Sequence, residues 1–285
     1  MDLSQCILLT MELVVSEFII YPIKSLGGIA LQEAKVEAIG LQYDRRWMLI
    51  DPEGHQMTQR KFKTMALLQP EIREGKMHIT HKQKPELSFS FSLDEFLPNT
   101  LEANTWATTG EAQEVSTAAS VWFSEVLDMS CQLVRMPEAY VRPTDPDFSA
   151  TENDRVSFAD GFPILIFDEA SVALISEKAG EDIPANRFRA NIITKGGHAH
   201  VEDEFKRFSI GDLDFFGAKP CTRCVLTTIN QATAQAGAEP LKTLATYRKK
   251  GNKIKFGLNV IPLKEGIIRV GDTLSIKETV EPIAF

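Results

Sequence analysis

"KPCTRCVLTTIN" (219–230) sets Cys221 and Cys224 on either side of Thr222 and Arg223, and the residues after the pair decide the fold. The spacing fits a redox pair, half of a zinc site, or one metal-binding thiolate beside a structural neighbour. A thioredoxin-like pair sits at a helix N-terminus within a βαβ unit, which lowers the thiol pKa. Here "VLTTIN" is rich in β-branched residues, and Val225–Ile229 reads as a strand. Structural zinc asks for four ligands, usually from a second CxxC or CxxH. Cys6 and Cys131 are single and far away in sequence. Two readings survive on these residues. One is a single thiolate serving as a soft transition-metal ligand, with Thr222 and Arg223 beside something anionic. The other is two reduced cysteines at the start of a strand.

The β character extends along the chain. Val14–Ile20, Trp47–Ile50, Met77–Ile79, Leu87–Phe91, Ile192–Thr194, Leu213–Phe216 and Ile267–Ile276 are short runs rich in Val, Ile, Phe and Thr. "IGD" (210–212) and "VGD" (270–272) supply tight turns. Helices are few. In "STAASVWFSEVLDM" (116–129) Ala119, Trp122, Phe123, Val126 and Leu127 share one helical face, and Ser116 or Thr117 is placed to cap it. "DEASVALISEKAG" (168–180) opens on an N-cap aspartate and stops at Gly180. "EPLKTLATYRKK" (239–250) predicts a third helix with Arg248, Lys249 and Lys250 in its last turn, where cations suit the dipole. Residues 137–155, with three prolines and no periodicity, read as a long loop or linker. The expected architecture is mostly β (α+β), with strands too rarely separated by helices for a doubly wound parallel sheet. It divides into a leader (1–12), an N-terminal β-barrel-like domain (13–130) and a second β-barrel domain (131–285), with a few peripheral helices.

The chain has 285 residues, 44% of them apolar and 25% charged, which suits a globular protein with ample core. Lys plus Arg is 31 against 39 for Asp plus Glu, a net charge of −8. That argues against general binding to nucleic acid or anionic membranes, which requires a positive footprint. Any anion site must be a local concentration of cations in an acidic background. No apolar run reaches the roughly 18–20 residues of a membrane span. The N-terminal stretch carries Asp2, Glu12 and Glu17 with no basic region, unlike a signal peptide, and residues 1–10 read as a leader or an upstream start. Four cysteines in this pattern make no disulfide framework, so a reducing cytoplasmic setting is expected.

Four further segments offer local chemistry. "YPIKSLGG" (21–28) ends a strand at a proline and sets Lys24 and Ser25 before Gly27–Gly28, a charge and a hydroxyl beside backbone N–H groups that suit an oxyanion. It also fits an ordinary basic turn, and the GxxxxGK[ST] phosphate loop is absent. "YDRRWMLID" (43–51) offers Arg45 and Arg46 as an anion clamp or as charged surface before a strand. "NRFRANIIT" (186–194), if extended, puts Arg189 and Asn191 on one face. "GHAHVEDEF" (197–205) holds two histidines without a third ligand of defined spacing and reads as a polar loop.

Taken in order, "IYPIKS" (20–25), "DRRWMLID" (44–51), "FADGFPILI" (158–166), "RFRANI" (187–192), "CTRCVLTTIN" (221–230) and "GIIRVGD" (266–272) form a specific set. The chain resembles, from about residue 13 to 280, the molybdenum-cofactor proteins in which a MOSC N-terminal β-barrel precedes a MOSC domain. That family includes the mitochondrial amidoxime-reducing component and bacterial proteins that detoxify N-hydroxylated bases. The resemblance implies that Lys24 and Ser25 bind the cofactor phosphate, with Arg45, Arg189 and Asn191 as further contacts. It places Asp160 and Gly161 near the pterin, Thr222 and Arg223 against the cofactor, and Cys224 as molybdenum ligand and catalytic residue. Cys221 becomes a neighbour expected to tolerate serine. Arg46 stands where the family often has an aromatic, and Asn230 where many relatives have aspartate. The implied activity is reduction of small N-hydroxylated substrates, amidoximes or N-hydroxylated bases. The sequence holds no [2Fe–2S] cysteine cluster, so electrons are expected from a separate ferredoxin- or flavin-reductase-like protein. The alternative is a molybdenum-cofactor carrier or sulfur-handling module without turnover; an apo structural relative ranks below it.

Overall fold

Leu13–Ile20 alternates buried and half-exposed side chains, the period-two signature of a strand with one face on a core. In a computed structural model, which describes residues 11–106 and 108–285, this strand belongs to a sheet built chiefly by the C-terminal half. The order runs Ile164–Asp168, Ile192–Lys195, Leu13–Ile20, Thr273–Thr279, Phe205–Ile210, Leu213–Arg223, Lys253–Pro262. Lys253–Pro262 then pairs back onto Ile164–Asp168, Val260 opposite Ile164, and closes a seven-stranded barrel. Every pairing in this circuit is antiparallel except Ile164–Asp168 with Ile192–Lys195, whose crossover carries the helix Glu169–Ala179. Val15, Phe18, Phe208, Phe215 and Val260 fill the interior. Each fully buried Val or Phe there contributes roughly 1.5–3 kcal/mol.

The second unit is open and barrel-like. Trp47–Ile50, Gln132–Arg135, Thr108–Glu114 and Thr100–Thr105 form one sheet; Leu68–Arg73, Lys76–His81 and Lys84–Ser92 form a meander. The helix Thr117–Leu127 shares a core with them through Ala119 and Phe123, with Trp47, Met77 and Phe91. Ser116 caps this helix by accepting from Ala119 N, and Asp168 caps Glu169–Ala179 by accepting from Ala170 N. The fold is mostly β, with three α-helices among the described residues. Residues 1–10 of the expected leader, Cys6 included, lie outside the described residues.

Three expectations are corrected. Val225–Ile229 is not a strand: Val225–Thr228 is a 3-10 turn that starts directly after Cys224. Thr227 returns both its N–H and its hydroxyl to Cys224 O, and Thr228 Oγ1 donates to Val225 O. These local hydroxyl–backbone bonds override the β propensity of the side chains. The preceding strand instead runs on from Phe216 to Arg223, through register shifts at Gly217/Lys219 and Pro220/Thr222, the irregular positions at which a strand tolerates proline. The third helix, Leu241–Tyr247, ends before its predicted cations: Arg248 turns inward to a buried Asp203, and Lys249–Lys250 pairs as a short strand with Lys253 and Ile254. Ile267–Ile276 is likewise two strands, Gly266–Arg269 and Thr273–Thr279, split at Gly271, whose φ of 93° suits glycine. The "GHAHVEDEF" segment is the polar loop expected, and its Glu202 and Asp203 are buried.

Candidate active site

The site is built on Tyr21, a buried ring at the end of Leu13–Ile20. The guanidinium carbons of Arg45 and Arg189 lie 4.4 and 4.1 Å from its centroid, within cation–π range. Asp44, fully buried behind them, accepts from Tyr21 N at 2.8 Å and from Arg45 Nη1 at 2.5 Å. Arg45 also donates to Asn191 Oδ1 (3.0 Å) and to Arg189 O (3.0 Å). Asn191 Oδ1 accepts a second bond from Leu165 N, and Nδ2 donates to Ile19 O. Arg45 and Asn191 therefore tie the floor of the site together. Arg189 differs. Nη1 donates to Leu26 O at 2.7 Å, while Nη2 is buried with no acceptor among the described residues. Burial lowers the Arg189 guanidinium to about 10, against the opposing pull of Tyr21, and it stays charged at neutral pH. Ser25, Arg45 and Arg189 all adopt left-handed backbone, with φ of 69°, 49° and 56°. Each such non-glycine residue costs on the order of 1–3 kcal/mol, strain that concentrates at functional sites. Arg189 thus reaches the site from a turn, not from the extended segment expected.

Across the cleft, the buried Lys24 ammonium donates to Phe158 O at 2.6 Å and to Asp160 Oδ1 at 2.7 Å. Burial lowers the Lys24 pKa; Asp160 works against that. Asp160 is itself disfavoured as an anion by desolvation. Lys24, the Trp106 indole N–H at 2.9 Å and Arg60 outweigh this and hold its carboxyl well below the usual carboxylate range. Trp106 stacks on Arg60, whose guanidinium carbon is 4.0 Å from the ring centroid. From the 137–155 loop, Arg142 grips the backbone carbonyls of Ser157, Ala159 and Asp160 and so fixes the turn that presents Asp160.

The cysteine stretch completes the cleft. Arg223 donates to Phe188 O at 2.6 Å and to Cys221 Sγ at 3.2 Å, and its Nε is buried without an acceptor among the described residues. Thr222 Oγ1 accepts from Lys255 Nζ at 2.8 Å. Cys224 is half-buried and free. Lys24, Ser25, Arg45, Asp160, Gly161, Arg189, Asn191, Thr222, Arg223 and Cys224, the ten residues singled out in sequence, all line this one cleft, and Cys221 lines it too. Five cations face a single carboxylate there, in a chain whose net charge is −8. Sequence reasoning missed Arg60 and Trp106. It also missed Tyr21, Asp44 and Arg142, which support the lining. Arg46 lies elsewhere, paired with Glu37. Among the described residues no cluster of three or more His, Cys, Asp or Glu side chains is arranged to hold a metal.

Barrel, companion unit and cationic thiol cleft together define a MOSC protein. Residues 12–130 match the MOSC N-terminal beta barrel domain and residues 153–275 the MOSC domain, and the chain belongs to this family. It is 30% identical over 282 residues to mitochondrial amidoxime-reducing component 1 of Mus musculus, covering 90% of this chain and 80% of that protein. The Homo sapiens counterpart is 28% identical over 277 residues, covering 90% and 81%. The molybdenum cofactor sulfurase of Oryza sativa subsp. japonica is 29% identical over 272 residues; these cover 87% of this chain but 32% of the sulfurase.

Proposed function

We propose that this chain is a molybdenum-cofactor-dependent reductase of N-hydroxylated compounds, amidoximes or N-hydroxylated bases, supplied with electrons by a separate redox protein. The net reaction is R–NHOH + 2 H⁺ + 2 e⁻ → R–NH₂ + H₂O. The observation that carries the reading is the free Cys224 thiol in the same cleft as Lys24, Arg189 and Arg223. The family's named relatives support it.

The residues fit such a cofactor. Arg189 Nη2 and Arg223 Nε are buried donors lacking acceptors among the described residues, and an anionic phosphate or pterin oxygen would satisfy them. A single thiolate is a soft ligand suited to a transition metal. Bound there, the cofactor would supply a two-electron redox centre at molybdenum. Lys24 has three N–H donors and spends two on Phe158 and Asp160, which leaves one for a phosphate beside the Ser25 hydroxyl. Asp160 is ionised at neutral pH, so beside Gly161 it would accept hydrogen bonds from a pterin edge and would not serve as the proton donor. Thr222 and Arg223 would flank the ligand and Cys224 would hold the metal; the substrate protons come from water or an unassigned group. Arg45 and Asn191 act by holding Arg189 and the cleft floor in place. The proposal includes a two-unit division, 13–130 and 131–285, with Leu13–Ile20 lent to the C-terminal barrel and Gln132–Arg135 to the sheet of the N-terminal unit, and a reducing cytoplasmic setting in which Cys221 and Cys224 stay free. No helix among the described residues is long and apolar enough to cross a membrane.

Reduction of benzamidoxime by reduced methyl viologen tests the reading on molybdenum-loaded protein. Benzamidine should form, and should not form with Cys224→Ala. The likeness to a cofactor sulfurase favours a second reading, a cofactor carrier or sulfur-handling module; bound molybdenum without benzamidine would select it.

A further inference from the structure

Beside the cleft, the hairpin 249–255 ("KKGNKIK") carries four lysines. Lys249, Lys250 and Lys253 are exposed, and none of the three makes an ion pair within 4.0 Å among the described residues. Gly251, at φ 58°, makes the turn. The sheet register ties this tip to the active-site strand: Thr222 lies opposite Lys255, Arg223 opposite Ile254, and Ile254 opposite Lys249. At about 4.8 Å per strand step, the Lys249 backbone lies roughly 10 Å from that of Arg223, the residue before Cys224. Val225, just after Cys224, is 56% exposed. Val225 follows the thiol in sequence, and the lysine hairpin pairs with the strand that ends just before it. An exposed apolar side chain and unpaired cations thus lie at the same end of that strand, the mix of apolar and charged groups that a transient interface uses. Uncompensated lysines also run against the charge of the whole chain, −8.

We infer that the hairpin 249–255 and Val225 form the docking surface for a small acidic electron-transfer protein; this rests on the reductase reading above. Each turnover consumes two electrons, so a one-electron carrier must dock, deliver and leave twice. A small, charge-steered encounter suits that cycle, since rim charges raise association rates without prolonging the complex. The basic rim selects an acidic carrier and rejects a basic one.

The test uses the full chain, loaded with molybdenum, and the triple variant K249E/K250E/K253E. Two donors are compared: an acidic plant-type [2Fe–2S] ferredoxin and reduced methyl viologen. Charge reversal should lower kcat/KM for ferredoxin by about tenfold or more at low salt. The difference should vanish at 1 M salt, where the Debye length is about 3 Å. Methyl viologen turnover should not change, and the corresponding Lys→Gln triple should fall between. Binding of oxidised ferredoxin to the chain without cofactor, measured by calorimetry, gives the same contrast independently of activity. If wild type reduces nothing with methyl viologen, the reductase reading fails while the calorimetric arm still judges the surface. Ferredoxin binding and kinetics unmoved by reversal would overturn the proposal and leave the lysines as protection of a short edge strand. Binding to phosphatidylserine vesicles in preference to ferredoxin would overturn it as well.

Discussion

Lys24→Met separates what the buried ammonium does for a ligand from what it does for the fold. The side chains are similar in length, and Lys24 is only 5% exposed, so the substitution fills the same space. Two of the three ammonium donors are spent on Phe158 O and Asp160 Oδ1. The third is the one assigned to an anion, and a hydrogen bond to a charged group is worth about 1.5–3 kcal/mol. At about 1.4 kcal/mol per decade, its loss weakens anion binding by roughly 10- to 100-fold. The fold should barely register the change. Phe158 O loses a donor, at about 1–3 kcal/mol. Against that, an ammonium whose pKa is lowered chiefly by desolvation is no longer buried. Asp160 loses its ion-pair partner, but its side chain is 64% exposed, so water makes up part of that loss. The net of about 1 kcal/mol corresponds to a Tm shift of roughly 2–4 °C. Titration calorimetry with inorganic phosphate, paired with differential scanning calorimetry, measures both. A variant that binds phosphate within twofold of wild type refutes the assignment of Lys24.

The floor of the cleft should behave differently. Asp44→Ala leaves Tyr21 N and the Arg45 guanidinium without their buried acceptor, a loss of roughly 3–5 kcal/mol, and Tm should drop by about 10 °C; a change of only a degree contradicts the role given to Asp44. Asp160 has a folded pKa below its unfolded value, so its contribution to stability is present above about pH 4 and is lost as pH falls. Asp160→Asn should therefore show a flatter Tm profile than wild type on the acid side. Asp168 and Asp203, raised chiefly by burial, act in the opposite sense but are common to both proteins; parallel profiles would contradict the account. Cys221→Ser should keep its metal, because a serine hydroxyl can accept the Arg223 Nη1 bond that Cys221 Sγ receives, whereas Cys224→Ser should lose it. Equal metal loss in the two variants would remove the asymmetry between the thiols.

Local features were legible in the sequence wherever local physics decides them. Trp47–Ile50 has the predicted bounds, Ser116 (one of the two caps expected) and Asp168 cap their helices, and Gly180 closes its helix in left-handed backbone. Where side chains bond to nearby backbone, propensity misled. The β-branched "VLTT" becomes a 3-10 turn because Thr227 and Thr228 hold the chain in it, and this turn is what leaves Cys224 at the end of its strand. Barrel closure through Val260 and Ile164 joins residues nearly a hundred positions apart, and no periodicity announces it. The cleft is a similar case. Lys24, Asp160, Arg189 and Cys224 carried weak individual signals, and only their order along the chain, matched to a family, grouped them before the structure placed them in one cleft. Arg60, Trp106 and Arg142 lie in turns and loops with no pattern of their own. Their positions are set by Asp160 and its neighbouring carbonyls, which a linear reading does not bring near.

Molybdenum content per chain, measured by mass spectrometry on protein from a cofactor-competent host, tests the central claim most directly when Cys224→Ala is prepared alongside. The account predicts close to stoichiometric molybdenum in wild type and its loss in the variant. A wild-type protein without molybdenum, or a Cys224→Ala protein that retains it in full, would contradict the account.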